Sequence, residues 1–331
     1  MPSSATLGSH VFEFDCDKEI DKICNALRQY NQKYRRRGAV IAMSGGIDSS
    51  VSAALCTMAF GADKVQALLL PEQDSSDSSS SLAGMLAEHL GLDYIATDLS
   101  PTLEAIGCYH WRDEAIRSLF PDYQKEWKSK IAISGGAKGG FHYFRLIVQS
   151  PGGELLEKRL PHKAYLQIVA ATNFKQRIRK TIEYFHADRL NYSVIGTPNR
   201  VEYDQGFFVK NGDGSADIKP IAHLYKTQVY TLARHMGLPE AICNTTPTTD
   251  TYSLPQGQDE FYYALPYDKM DLALWAHNHG HSAAELAEAL GIDLKRAELV
   301  YADIEAKRNT TRYLHARPSL VEPITEIHPD G

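Results

Sequence analysis

No stretch of the chain approaches 18 consecutive apolar residues, so no membrane-spanning helix is expected. Paired cysteine motifs are missing too. The five cysteines, Cys16, Cys24, Cys56, Cys108 and Cys243, are odd in number and scattered, with no CxxC among them. That argues against a structural zinc site or a disulfide framework and for a reducing compartment. There is no excess of basic residues: 35 Lys and Arg stand against 41 Asp and Glu, a net charge of -6, which removes any bulk signal for nucleic acid. The opening residues, MPSSATLGSHVFEFD, lack the basic start and apolar core of a signal peptide. Internal repeats are absent. Together these absences predict a cytoplasmic protein that engages neither nucleic acid nor membrane. What remains is an ordinary globular composition, 43% hydrophobic and 23% charged, over 331 residues, enough for one large α/β domain or two smaller ones.

Hydrophobic periodicity orders the first third. Residues 17–36 have apolar positions at helical spacing and close on arginines, which suits the negative end of a helix. AVIAM (39–43) reads as a strand, SSVSAALCTMAF (49–60) as a helix closed by Gly61, VQALLLP (65–71) as a strand, SLAGMLAEHLG (81–91) as a helix and DYIATDL (93–99) as a strand. This alternation predicts a doubly wound parallel sheet with flanking helices and right-handed crossovers. The serine run SSDSSSS (75–81) reads as a flexible linker or as a flap near a ligand. Residues 107–162 carry a helical segment, WRDEAIRSLFPDY, and a β-hairpin turning at Pro-Gly-Gly, and are read as an insertion between sheet strands. A second SGG at 134–136 has no Asp-Ser after it and reads as a structural loop. The core resumes with a long helix (164–190), a strand YSVIGT (192–197) and a helix (225–237). Further helical patterns follow, and then an extended C-terminal tail. The expected organisation is one domain over 1–318, interrupted at about 107–162, with a tail at 319–331.

The chemistry concentrates at MSGGIDSSV (43–51), directly after the first strand. Ligands in such sheets bind at the carboxyl ends of strands. Glycines let backbone N–H groups approach a phosphate closely, the following helix adds its positive end, and serine hydroxyls donate further bonds. A bare Asp48 would repel phosphate, but it makes sense as a ligand of Mg²⁺ bridging to the phosphates. The GxxxxGK[ST] pattern of a Walker loop is absent.

This loop resembles the SGGxDS loop of the PP-loop ATP pyrophosphatases, which cleave ATP between its α and β phosphates. Sulfur transfer within that superfamily uses paired cysteines, which this chain lacks. Further along, TNFKQRIRK (172–180), GTPNRVEYDQGFFVKNGDGSADIKPIAHLYKTQV (196–229) and PTTDT (247–251) resemble the NAD synthetase family. The resemblance implies an adenine nucleotide alpha-hydrolase-like fold. It implies an enzyme that adenylates deamido-NAD (nicotinic acid adenine dinucleotide) with ATP as co-substrate, lets ammonia displace AMP, and so makes NAD. Carried over position by position, Ser44, Gly45, Gly46, Asp48, Ser49 and Ser50 would hold the ATP phosphates. Thr197, Lys226 and Thr248 would also contact ATP, and Asp48 and Glu202 would ligate Mg²⁺. Arg177, Lys210 and Asp217 would hold deamido-NAD, with Arg179 as a neighbour of Arg177 in the same motif. Asp48, Glu202 and Lys226 are the expected catalytic groups. Read from the residues alone, the two arginines fit a solvated helix face better than a binding site.

The sequence departs from the family pattern in three places. Val209 stands where a Thr is common, the His-Lys pair near the C-terminus has no clear counterpart (AKRNTTRYLH, 306–315, with Lys307, is the nearest), and the insertion is longer than in compact members. All three concern the acyl substrate and leave ATP use untouched. Two other readings therefore stand beside NAD synthesis: a PP-loop amide ligase for another carboxylic acid, and a non-catalytic nucleotide-binding module. The sequence has no amidohydrolase domain, so ammonia would come free or from a separate glutaminase, and the resemblance implies a homodimer.

Overall fold

Strand β1 (Ala39–Ala42) occupies the middle of the molecule because both of its faces are apolar. Ala39, Ile41 and Met43 point to one side and Val40 and Ala42 to the other, the alternation a strand imposes. β1 pairs in parallel with β2 (Val65–Leu69) and β7 (Ser193–Val194), and β2 pairs with β3 (Tyr94–Ala96), giving the order β3-β2-β1-β7. The computed structural model describes residues 7–134, 143–245, 252–255, 257, 262, 263 and 265–327.

Helices cover both faces of this sheet, as doubly wound folds require. On one side lie α1 (Cys16–Lys33), α2 (Ile47–Phe60), α3 (Asp77–Leu90), α8 (Lys226–His235) and α9 (Glu240–Cys243), packed through Leu27, Val51, Leu55, Leu86, Val229 and Ile242. On the other lie α4 (Ser100–Ala105), α5 (Cys108–Arg117) and the 29-residue α6 (His162–Leu190), packed through Leu103, Tyr109, Ile178 and Ala187. α7 (Arg200–Gln205) follows β7. The last helices, α10 (Tyr267–Asn278), α11 (Ala283–Leu290) and α12 (Leu294–His315), build a separate apolar cluster with Phe12, Val201 and Tyr225. Beyond His315 the described chain has neither helix nor strand and is exposed, with Leu320, Val321 and Ile327 open to solvent.

Two expectations change in part. The insertion has the expected helix, α5, and the expected hairpin, β5 (Tyr143–Gln149) with β6 (Leu155–Arg159), but a further strand, β4 (Lys128–Ser134), extends the hairpin to a three-stranded antiparallel sheet. The hairpin turns at Pro151-Gly152-Gly153 with Gly153 at φ +87°, and β4 joins it because Ile131, Leu146 and Val148 close a small core over Ile168 of α6. The serine run is not a linker, and it does lie beside a cleft. Ser76 caps α3, its hydroxyl accepting from Ser79 N–H at 3.2 Å, so the serines form the helix's first turn. Short hydroxyl side chains satisfy the open N–H groups of a helix start, which is why a polar run can begin a helix. The second SGG begins at Ser134, the end of β4; residues 135–142 lie outside the described residues.

Candidate active site

The loop between β1 and α2 is shaped by one glycine. Gly45 sits at φ +77°, and a Cβ on it would lie 2.5 Å from the carbonyl oxygen of Ser79 in α3, so the loop and the serine turn touch. Gly46 is the N-cap of α2 and supplies no side-chain cap. Serine hydroxyls lock the turn instead: Ser49 and Ser50 donate to the Gly46 carbonyl at 3.0 and 2.8 Å, and the Ser44 and Ser49 hydroxyls are 3.1 Å apart. The result is a helix start whose N–H groups face a cleft, the arrangement that suits an anion.

Charge gathers beside that loop. The buried Lys226, first residue of α8, places its ammonium on the Asp48 carboxylate. Asn199 donates through Nδ2 to the other Asp48 oxygen at 3.3 Å. The same asparagine heads α7: its Oδ1 accepts from Val201 and Glu202 N–H at 3.0 and 3.1 Å, while its own N–H donates to Glu202 Oε2 at 3.2 Å. Burial works to lower the Lys226 pKa, but Asp48 and then Glu202 outweigh it, so the ammonium is held above its ordinary value and stays charged. Behind it, buried Asp271 accepts from Thr227 N–H and Oγ1, both at 2.7 Å, and from Lys226 N–H at 3.3 Å, which caps α8. Burial lifts the Asp271 carboxyl to about 7 against these hydrogen bonds.

These groups open onto a cleft of about 360 Å³. The glycine loop, Thr197, Glu202 and Lys226 form one wall, and the serine turn (Ser75, Ser76, Ser78, Ser79, Ser80) faces them. α6 contributes Arg179 and the buried ion pair Lys180–Glu183, 2.7 Å apart. Arg179 donates to the Leu70 carbonyl at 3.1 Å and to Ser75 Oγ at 3.3 Å. Burial raises the pKa of both Glu183 and Asp213 here.

Of the residues singled out from the sequence, Ser44, Gly45, Gly46, Asp48, Ser49, Thr197, Glu202 and Lys226 line this cleft, with Ser50 directly behind the loop. Arg177, Lys210 and Asp217 do not line it. Exposed Arg177 donates to the Lys210 carbonyl at 3.3 Å, Lys210 Nζ to the Tyr313 carbonyl at 2.7 Å, and Asp217 accepts from Val194 N–H at 2.7 Å. Lys307 is held by the Tyr262 carbonyl and Asp303, both at 2.6 Å. Thr248 lies outside the described residues. Sequence reading missed Asn199 and Asp271; the serines were placed near a ligand only as one of two alternatives. Asn199 carried a usable signal, because Asn followed three residues later by Glu is a capping-box pattern; Asp271 carried none.

A family model described as NAD synthase matches residues 19–121 and 153–312. The gap spans β4, β5 and the residues between them. The chain is 55% identical over 318 residues to the NH(3)-dependent NAD(+) synthetase of Rhizobium meliloti (strain 1021), covering 96% of this chain and 95% of that protein. It is 35% identical over 254 residues to the protein of that name from Thermotoga maritima, covering 77% of this chain and 85% of the other. Among solved structures it resembles the NH3-dependent NAD synthetase of Campylobacter jejuni, with TM-score 0.62 and 22% identity over 94% of this chain and 100% of the other. It also resembles the NMN synthetase of Francisella tularensis, with TM-score 0.64 and 21% identity over 93% and 99%. At that identity these two neighbours speak for the fold.

Proposed function

Since the chain belongs to the NAD synthase family, we propose that the cleft between the glycine loop and the serine turn is where it binds ATP and forms the acyl-adenylate. The overall reaction is the ATP-dependent amidation of deamido-NAD by ammonia, giving NAD, AMP and pyrophosphate. The deamido-NAD carboxylate oxygen attacks the α-phosphorus, and the bond to the bridging oxygen breaks as pyrophosphate leaves. Ammonia then adds to the acyl carbon, loses a proton, and expels AMP.

An anion attacks an anion in the first step, so the site must neutralise phosphate charge. Backbone N–H groups of the loop and the start of α2 suit the β and γ phosphates, and the Lys226 ammonium suits the departing pyrophosphate. Asp48 and Glu202 are hard oxygen donors tied to one asparagine, a set that fits Mg²⁺ with phosphate and water completing its shell. When bound, that ion would supply further charge neutralisation to the phosphates. Once the site is dry and ordered, positioning supplies up to about 7–11 kcal/mol for the ammonia step. The observation that carries this reading is the convergence of Asp48, Glu202 and Lys226 at the open end of the glycine loop.

Arg177, Lys210 and Asp217 would then serve deamido-NAD outside the cleft. A homodimer is supported by α6, where Leu166, Ala170, Arg177, Thr181 and Phe185 share one exposed face. A second copy on that face would bury Leu166 and Phe185, which are 51% and 59% exposed, beside Arg177. Phe185→Glu is expected to turn a dimer into a monomer in sedimentation velocity. Matches on both sides of the insertion support one catalytic unit up to about residue 318. The free cysteines are compatible with a cytoplasmic setting, where ammonia arrives free or from a separate glutaminase.

The test is pyrophosphate release from ATP and Mg²⁺ with ammonium, with and without deamido-NAD, with NAD measured through a coupled dehydrogenase. Release that requires deamido-NAD and equals NAD formed supports the reading. ATP binding without release would point to another carboxylic acid as the substrate.

A further inference from the structure

Beneath the serine turn, outside the cleft, lies a buried charge cluster that the reaction itself does not use. Glu72 and Asp74 belong to the loop between β2 and α3, Tyr109, Arg112 and Asp113 to α5, and Lys175 to α6. Lys175 is 1% exposed, and Glu72 and Arg112 are each 4% exposed. Lys175 Nζ reaches Glu72 Oε1 at 3.0 Å and Asp74 Oδ2 at 2.6 Å. Arg112 binds Asp74 Oδ2 at 2.5 Å and Asp113 Oδ1 at 2.7 Å. The Tyr109 hydroxyl donates to Glu72 Oε2 at 2.8 Å and accepts from Gln73 N–H at 3.4 Å.

All of these bonds except Arg112–Asp113, which lies within α5, end on the segment that leads into α3. Within that segment Glu72 Oε2 accepts from Asp74 N–H at 3.1 Å, and Ser75 Oγ accepts from Glu72 N–H at 3.1 Å. Ser75 also takes the bond from Arg179, and Ser76 next to it caps α3. One turn later the Ser79 carbonyl meets Gly45 of the phosphate loop. Burying so many charges is a poor way to gain stability, because apolar side chains of similar volume usually do as well or better. Fixed directions are what such a network provides: Glu72 Oε2 takes Tyr109 Oη and Asp74 N–H, and Asp74 Oδ2 takes both Arg112 and Lys175, so the loop is held from α5 and α6 together.

We propose that Tyr109, Arg112 and Lys175 are positioning residues for ATP, acting through Glu72 and Asp74 to hold the serine turn against the glycine loop. The inference rests on the cleft being the ATP site, and the experiment separates the two. Binding of α,β-methylene ATP with Mg²⁺ is measured by calorimetry for the wild type, Tyr109→Phe, Glu72→Gln and the double variant, none of which alters a cleft-lining residue. The KM for ATP, deamido-NAD and ammonium is measured in parallel. Tyr109→Phe removes one hydroxyl and keeps the ring in the core. Each single variant is expected to raise Kd for the analogue and KM for ATP about tenfold, the effect of one lost buried hydrogen bond to a charged group. Values of kcat and the other two KM should stay within about twofold. The double variant should resemble a single one, because both changes release the same turn. An unchanged analogue Kd in Tyr109→Phe, a parallel rise in all three KM values, or effects that multiply in the double variant would each overturn the inference. A wild type that does not bind the analogue would overturn the ATP-site reading, and this inference with it.

Discussion

Replacing Asp48 by asparagine keeps the shape of the side chain and removes one charge. Removing one partner of a buried ion pair costs about 3–5 kcal/mol when the other is left uncompensated. Lys226 is not left so, because Glu202 is the second carboxylate that holds its pKa up. The Asn199 bond can also survive, since an amide oxygen still accepts. The expected loss of stability is therefore about 1–3 kcal/mol. At about 2.1 cal/mol/K of unfolding entropy per residue, that lowers Tm by only about 1–4 °C in a chain of this length. Turnover should suffer far more: losing a charged group aimed at the reacting phosphates lowers kcat by about 100- to 1000-fold. The assay is pyrophosphate release at saturating deamido-NAD and ammonium, beside thermal unfolding of the same preparations. Asp48→Asn/Lys226→Met, which leaves no surplus charge, should regain most of the Tm and remain inactive. If Asp48→Asn keeps more than about a tenth of wild-type turnover, Asp48 is only the counter-ion of Lys226 and the catalytic reading is wrong.

Neighbouring glycines should respond differently. Gly45→Ala places a Cβ against the Ser79 carbonyl at positive φ, and should lower Tm by about 3 °C or more as well as weakening ATP binding. Gly46→Ala meets only Ser44 Oγ at 3.4 Å, so it should fold normally and raise the KM for ATP; unchanged kinetics would show that phosphate does not approach that peptide. Burial lifts the Asp271 carboxyl from 3.8 to about 7, so the fold holds that proton more tightly than the unfolded chain. Its contribution is present at acid pH and is lost as pH climbs through about 7, a swing of about 4 kcal/mol. The stability difference between wild type and Asp271→Asn, followed by urea unfolding from about pH 4 to 8, should track that loss; a flat difference would mean Asp271 is ionised throughout.

Much of the glycine-loop wall of the cleft was legible in the sequence because its parts are local. A strand, two glycines and a run of hydroxyls occupy twelve consecutive positions, Ala39 to Ser50, and their backbone geometry follows from residue type. Lys226 and Glu202 were reached by resemblance, and the fold brings both to that loop. Less was legible wherever a role depends on which way a helix faces. Arg177 and Arg179 are two residues apart on α6, about 200° around the helix, so one meets solvent and the other the cleft. The serine run misled because composition suggests flexibility, while its effect depends on where the helix begins. Asp271 lies 45 residues from the N–H it caps, a pairing that only the packing of α10 on α8 creates. β4 was hidden because its partner strand lies beyond a glycine-rich stretch that reads as loop.

Asn199 joins the two carboxylates more closely than their separation of 154 positions in the chain suggests. It is only 1% exposed, its backbone N–H is bound to Glu202, and its amide nitrogen is bound to Asp48. The carboxylates are thus mounted on a single bracket. The spacing between the two acids is therefore set inside that bracket, by bonds that involve neither the serine turn nor α6. The acid pair comes ready-spaced, whatever the opposite wall of the cleft holds.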